Sequence, residues 1–132
     1  MKEPIWVPRE VVTAIQEELL ARFGGLAGVR DEGLLVSALN RPQPAFAYGK
    51  PSLYDLAAAY ASGIIRNHPF LDGNKRAGFL SAYTFLGVNG LDLTASEEEV
   101  ALQTRALAAG ELPEAEYALW LKASCKRRKR AK

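Results

Sequence analysis

One stretch concentrates most of the reactive side chains, His68-Pro69-Phe70-Leu71-Asp72-Gly73-Asn74-Lys75-Arg76. His68, the chain's one histidine, can take up a proton near neutral pH, and Asp72 can hold a hard cation. Gly73 frees the backbone to approach a ligand, and Lys75 and Arg76 add two positive charges. A base, a carboxylate, a glycine turn and two cations within nine residues suit phosphate chemistry, where positioning and electrostatics do most of the catalytic work. A P-loop is excluded, because Arg rather than Ser or Thr follows Lys75 and no glycine stands five before Gly73. The stretch's one His and one Asp, with the chain's one Cys, are too few to argue for zinc.

Two apolar segments must position this loop. Upstream, Leu53, Leu56, Ala57, Tyr60, Ala61, Ile64 and Ile65 recur at the spacing of one helix face, with Ser52 as N-cap. One more turn from Ile64 arrives at His68, so the imidazole is expected to emerge at the C-terminal end of a buried helix, oriented by packing. Pro69 stops that helix. Downstream, Ala77, Phe79, Leu80, Ala82, Tyr83, Phe85, Leu86 and Val88 leave almost no polar face, which predicts a central helix buried all round. Its N-terminus, at the loop, offers unpaired N–H groups and a partial positive charge, a natural anion site.

The loop resembles the signature of the Fic/Doc superfamily, HPF-x-[DN]-G-N-G-R, in the H-x-F-x-[DN]-[AG]-N-K-R form of the death-on-curing (Doc) toxins. Lys75 stands where the general pattern has glycine, and Phe79 where Fic proteins carry a second arginine; both favour the Doc branch. Arg22-Phe23-Gly24-Gly25-Leu26 and Asp31-Glu32-Gly33-Leu34 are similar to that family's early segments. The resemblance implies a toxin of a toxin–antitoxin system, an ATP-dependent protein kinase transferring the γ-phosphate to a hydroxyl of a translation factor, a threonine of elongation factor Tu. By the same resemblance His68 would be the general base and Asp72 would hold Mg²⁺. Gly73, Asn74, Lys75 and Arg76 would bind the phosphates of ATP, with Lys75 and Arg76 also catalytic. A cognate antitoxin would be the inhibitory partner, on a separate chain, because Thr94-x-x-x-Glu98 is followed by Glu99 where a self-inhibiting motif needs Gly or Asn. The rival readings are Fic-type AMP transfer to a protein hydroxyl and a catalytically silent antitoxin-binding subunit.

At 132 residues and 48% hydrophobic, one domain with a real core is expected, at residues 1–125, followed by a basic tail at 126–132. The single Cys125 permits no internal disulfide and fits a reducing cytoplasm. The sequence has neither an apolar leader nor a run long enough to span a bilayer, so no signal peptide or membrane span is expected. The net charge of +2 divides unevenly: residues 122–132 hold seven of 17 bases and no acids, leaving the preceding body at −5. Lys126-Arg127-Arg128-Lys129-Arg130 reads as a solvated tail, with weak, salt-sensitive nucleic-acid contact as the alternative.

The remaining pattern predicts an all-α, compact single-domain bundle of about six helices with a short flap. Pro8 opens a helix to about residue 23, stopped by Gly24-Gly25, and Asp31 caps a short one ending near Arg41-Pro42. Residues 41–51, with three prolines, are expected to form the flap loop, Phe46 or Tyr48 bordering the site. Asn89-Gly90 makes a turn, Leu91-Asp92-Leu93 is too short to specify, and Ser96-x-x-Glu99 reads as a capping box. Pro113 opens the last helix.

Overall fold

The computed structural model describes residues 2–128. In chain order it contains α1 (Arg9–Phe23), α2 (Glu32–Leu39), α3 (Pro42–Tyr48), α4 (Leu53–Asn67), α5 (Asn74–Val88), β1 (Leu91–Leu93), α6 (Glu97–Ala108), α7 (Glu114–Ala123) and β2 (Cys125–Arg127). The all-α bundle expected from the sequence is the fold observed. Residues 129–132, including Lys129 and Arg130 of the basic run, lie outside the described residues.

Local chemistry sets the helix starts. At α4 the Ser52 hydroxyl accepts the Asp55 N–H at 3.1 Å while the Asp55 carboxylate takes the Ser52 N–H at 2.8 Å, a reciprocal capping box. Asp31 caps α2 through the Leu34 N–H at 3.0 Å. Ser96 caps α6 through the Glu99 N–H, but Glu99 does not reach back as a box requires; its carboxylate accepts the Trp120 indole N–H at 2.6 Å. The helix end there gives way to a tertiary tie between α6 and α7.

The most extensive helix pairing is α4 with α5. Small residues let the two approach: a Cβ on Gly78 would come within 2.9 Å of Ile65 Cγ1 and 3.0 Å of the Ala61 carbonyl. Around this pair, Leu35, Leu56, Tyr60, Ile64, Phe70, Phe85, Tyr117 and Leu121 form one buried cluster. The lead-in segment closes one side, with Trp6 stacked on Phe85 and the Val7 N–H bonded to the Tyr60 hydroxyl at 3.0 Å. No helix among the described residues is long and apolar enough to cross a membrane.

Three expectations are corrected. Residues 42–48 form helix α3, not a flap loop or hairpin: Pro42 starts it where a missing N–H is harmless, and Phe46 packs edge-on against Trp6 at 5.8 Å. Neither Phe46 nor Tyr48 borders the cleft described below; Tyr48 points to solvent, 93% exposed. Helix α5 is not buried all round, because the stripe of Phe79, Leu80 and Tyr83 lies on a cleft rather than under another helix. Leu91–Leu93, unspecified by sequence, pairs antiparallel with Cys125–Arg127, so Lys126 and Arg127 sit in a ribbon and Arg128 is tied to Asp92 at 2.6 Å.

Candidate active site

Helix α4 ends where Pro69 makes continuation unfavourable for the residue before it. His68 is the C-cap, with φ 52 and ψ 51, and among the described residues it is the one non-glycine at positive φ. Histidine tolerates this left-handed conformation better than most side chains. The turn swings the side chain out of the helix, so the imidazole is exposed rather than packed as expected. Its placement comes from the backbone: the His68 N–H bonds to Ile64 O at 3.0 Å, and its carbonyl accepts Arg30 Nε at 2.7 Å.

Six residues on, Asn74 begins α5. Gly73 is its N-cap at φ 77, with no side-chain cap, and a Cβ there would meet nothing within 4 Å. The first helical hydrogen bond is Ala77 N–H to Gly73 O at 2.9 Å, so the N–H groups of Asn74, Lys75 and Arg76 have no protein acceptor among the described residues. Lys75 and Arg76 are exposed at the same end, with no carboxylate within 4.0 Å of either among the described residues. The Arg76 guanidinium lies over the Phe23 ring, 4.2 Å from its centroid. An uncapped helix start carries a partial positive charge, to which Lys75 and Arg76 add two full ones.

Between these two helix ends stands Asp72. One carboxylate oxygen accepts the Leu26 N–H at 2.8 Å, and its carbonyl accepts the Gln16 amide at 3.3 Å. Gly25, at φ 121, allows this approach, since a Cβ there would lie 3.3 Å from the Asp72 carboxylate. The other carboxylate oxygen makes no hydrogen bond among the described residues. No group of three or more His, Cys, Asp or Glu side chains gathers to cage a metal among the described residues. Asp72, with one carboxylate oxygen open, is the residue of the loop that could hold a cation. A single carboxylate is compatible with an ion that keeps most of its waters, as Mg²⁺ does.

His68, Asp72, Gly73, Asn74, Lys75 and Arg76 all line one cleft of about 850 Å³. Its lining joins these residues to Phe79 and Tyr83 of α5 and to Val100, Ala101 and Thr104 of α6. The Asn74 side chain, expected to bind phosphate, is instead committed to the loop. Its Oδ1 accepts the Phe70 N–H and its Nδ2 donates to Phe70 O, each at 3.0 Å, in a residue only 4% exposed. What remains at this position for an anion is the backbone N–H.

Sequence reasoning missed the groups that hold the loop from outside: Arg30, the Leu26 N–H and Gln16. Gln16 carried a signal, being a polar residue on the buried stripe Val12–Gln16–Leu19 of α1. The Leu26 contact carried none, since a backbone N–H looks alike in every sequence.

These features define a helical domain in which a histidine, an aspartate and a cation-flanked helix N-terminus line one cleft. The chain belongs to the Fic/DOC family, whose pattern it matches over residues 6–86. It is 35% identical to "Protein kinase doc" of Escherichia phage P1, the match covering 80% of this chain and 82% of that protein. It is 50% identical to "Toxin Doc" of Mycolicibacterium smegmatis over 55% of this chain, and that match spans 58% of the relative's length.

Proposed function

We propose that this protein is a Doc-type toxin, a protein kinase that uses ATP and Mg²⁺ to phosphorylate a hydroxyl of a translation factor. The observation that carries the reading is the shared cleft: His68 and the first residues of α5, whose N–H groups have no protein acceptor among the described residues, line the same cavity. The names of the two relatives support it. In this reading the phosphates of ATP sit on the N–H groups of Asn74, Lys75 and Arg76 and on the two cations. Mg²⁺ at Asp72 would neutralise charge on the transferring phosphoryl group. His68 accepts the proton of the incoming hydroxyl as its oxygen bonds to the γ-phosphorus, and the bond to the ADP oxygen breaks. The imidazole's exposure suits an acceptor as large as a protein. We assign elongation factor Tu as the acceptor, a cytoplasmic site of action, and a separate antitoxin chain as inhibitor.

The test is purified protein with elongation factor Tu, Mg²⁺ and ATP labelled separately at the α and γ positions. Transfer of the γ label, located by mass spectrometry on a threonine and lost in His68→Ala, is the expected result. Transfer of the α label would mean nucleotidyl transfer and would overturn the kinase reading. Growth arrest that persists in His68→Ala cells would point to a binding subunit instead.

A further inference from the structure

Arg30 lies outside the signature loop, yet it meets three successive carbonyls of the turn that carries His68. Its Nε donates to His68 O at 2.7 Å, its Nη2 to Asn67 O at 2.9 Å, and its backbone N–H to Pro69 O at 2.6 Å. Asn67 and His68 are the residues whose carbonyls a helix C-terminus leaves without intrahelical partners. The planar guanidinium spans both with two fixed N–H vectors, which an ammonium could not do.

Around that contact, the chain from Gly28 to Asp31 runs along the loop as a strap. Val29 forms an antiparallel bridge with Phe70, Leu71 donates to Gly28 O at 3.1 Å, and Asp31 donates to Pro69 O at 3.1 Å. These backbone bonds fix the loop from Pro69 onward. At Asn67 and His68 the strap acts through the Arg30 side chain. The peptide planes on either side of the His68 Cα determine where its Cβ points. His68 is held in a left-handed conformation that is unfavourable for a non-glycine residue, and such conformations persist where the surroundings enforce them.

We propose that Arg30 is a positioning residue for the general base: its guanidinium locks the Asn67 and His68 carbonyls, holds His68 left-handed, and so aims the imidazole into the cleft. This rests on the kinase reading for its consequence in catalysis, but the geometric part stands independently of it. Arg30 need touch neither ATP nor acceptor.

The experiment pairs kinetics with the ring signals of the chain's one histidine, which cannot be confused with any other. Wild type, Arg30→Ala and Arg30→Lys are compared, with Arg9→Ala, which removes the nearby Arg9–Glu32 pair, as control. Arg30→Ala is expected to lower kcat about tenfold to a hundredfold, as for a misplaced catalytic group, with KM for ATP little changed. The His68 ring carbon–proton signals should shift and broaden while core methyl signals stay in place. Arg30→Lys should fall between, and Arg9→Ala should match wild type. A fall in kcat with unmoved ring signals overturns the proposal, as does a disturbed ring with unchanged kcat, or no change in either. A rise in KM without a fall in kcat also overturns it, because that is the mark of a substrate contact. If wild type transfers no phosphate, the kinase reading fails and the ring signals alone decide the positioning role. Should Arg30→Ala not fold, Arg30→Lys and Arg30→Gln are judged by the same criteria.

Discussion

Asn74 holds both backbone groups of Phe70, accepting its N–H and donating to its carbonyl, each at 3.0 Å. The first residue of α5 thereby folds the loop back on itself, and Phe70, 1% exposed, is pinned in the core beneath the site. A side-chain amide carries an acceptor oxygen and a donor nitrogen side by side, so one residue can serve both backbone groups of Phe70 at once. Asn74→Ala leaves two buried backbone groups unpaired and should cost about 2–4 kcal/mol. Urea unfolding monitored by circular dichroism measures it. A loss below roughly half a kcal/mol would mean that the clamp is not a structural element.

His68 sits where glycine is ordinarily preferred, at a helix C-terminus in the left-handed region. Its side chain is exposed and has no hydrogen bond among the described residues, so little packing is lost on removing it. His68→Gly should therefore raise stability by about 1 kcal/mol while phosphotransfer is lost. Thermal melts and the γ-label assay on the same preparation check both halves. Lower stability in the glycine variant would show that the imidazole has a structural role after all.

Burial pushes the Tyr117 hydroxyl up to about 12 from an ordinary 10.0, partly offset by its hydrogen bond with Thr104 at 3.0 Å. The native state keeps this proton after the unfolded chain has lost it. The associated stability is fully present below pH 10.0 and is lost as the pH climbs towards about 12. Tyr60, also raised by burial, acts in the same direction. Tyr117→Phe should flatten the alkaline fall while lowering stability at pH 7, because the buried Thr104 hydroxyl loses its partner. Urea midpoints at a series of pH values from neutral to alkaline test this. An unchanged alkaline slope would place the titration elsewhere.

The parts of this fold that were legible share a cause. Helices α1, α2, α4, α5, α6 and α7 announce themselves through apolar stripes and through Ser52, Asp31 and Ser96, side chains whose chemistry works locally. Helix α3 was illegible because Pro42 and Pro44 read as breakers. Both fall in the first turn, where the N–H they lack would have had no partner. The strap was illegible for another reason: its bonds join Gly28 and Asp31 to residues about forty positions away through backbone atoms, which carry no residue signature. For the candidate site, residue types picked out the loop whose residues line the cleft, but not which side chains hold the loop itself. Asn74 was expected to bind phosphate by the family resemblance, and its contacts with Phe70, which tie its side chain to the loop, involve backbone atoms that carry no residue signature.

Lys75 separates what the proposed site would use from what the fold prefers. It stands at the second position of α5, exposed, with no carboxylate within 4.0 Å among the described residues, where its charge opposes the helix dipole. A fold selected for stability alone would favour an acid there. Lys75→Ala should therefore gain a few tenths of a kcal/mol, the low end of the dipole effect because solvent screens the side chain. The same change removes a charge from the proposed phosphate site, so KM for ATP should rise about tenfold. That rise should shrink as salt is added, since screening weakens the wild-type contact and leaves the variant less affected. Melting temperature and KM for ATP at two ionic strengths give all three readouts. Loss of stability together with an unchanged KM would mean that Lys75 serves the fold, and the anion reading of the α5 terminus would then rest on its N–H groups and Arg76 alone.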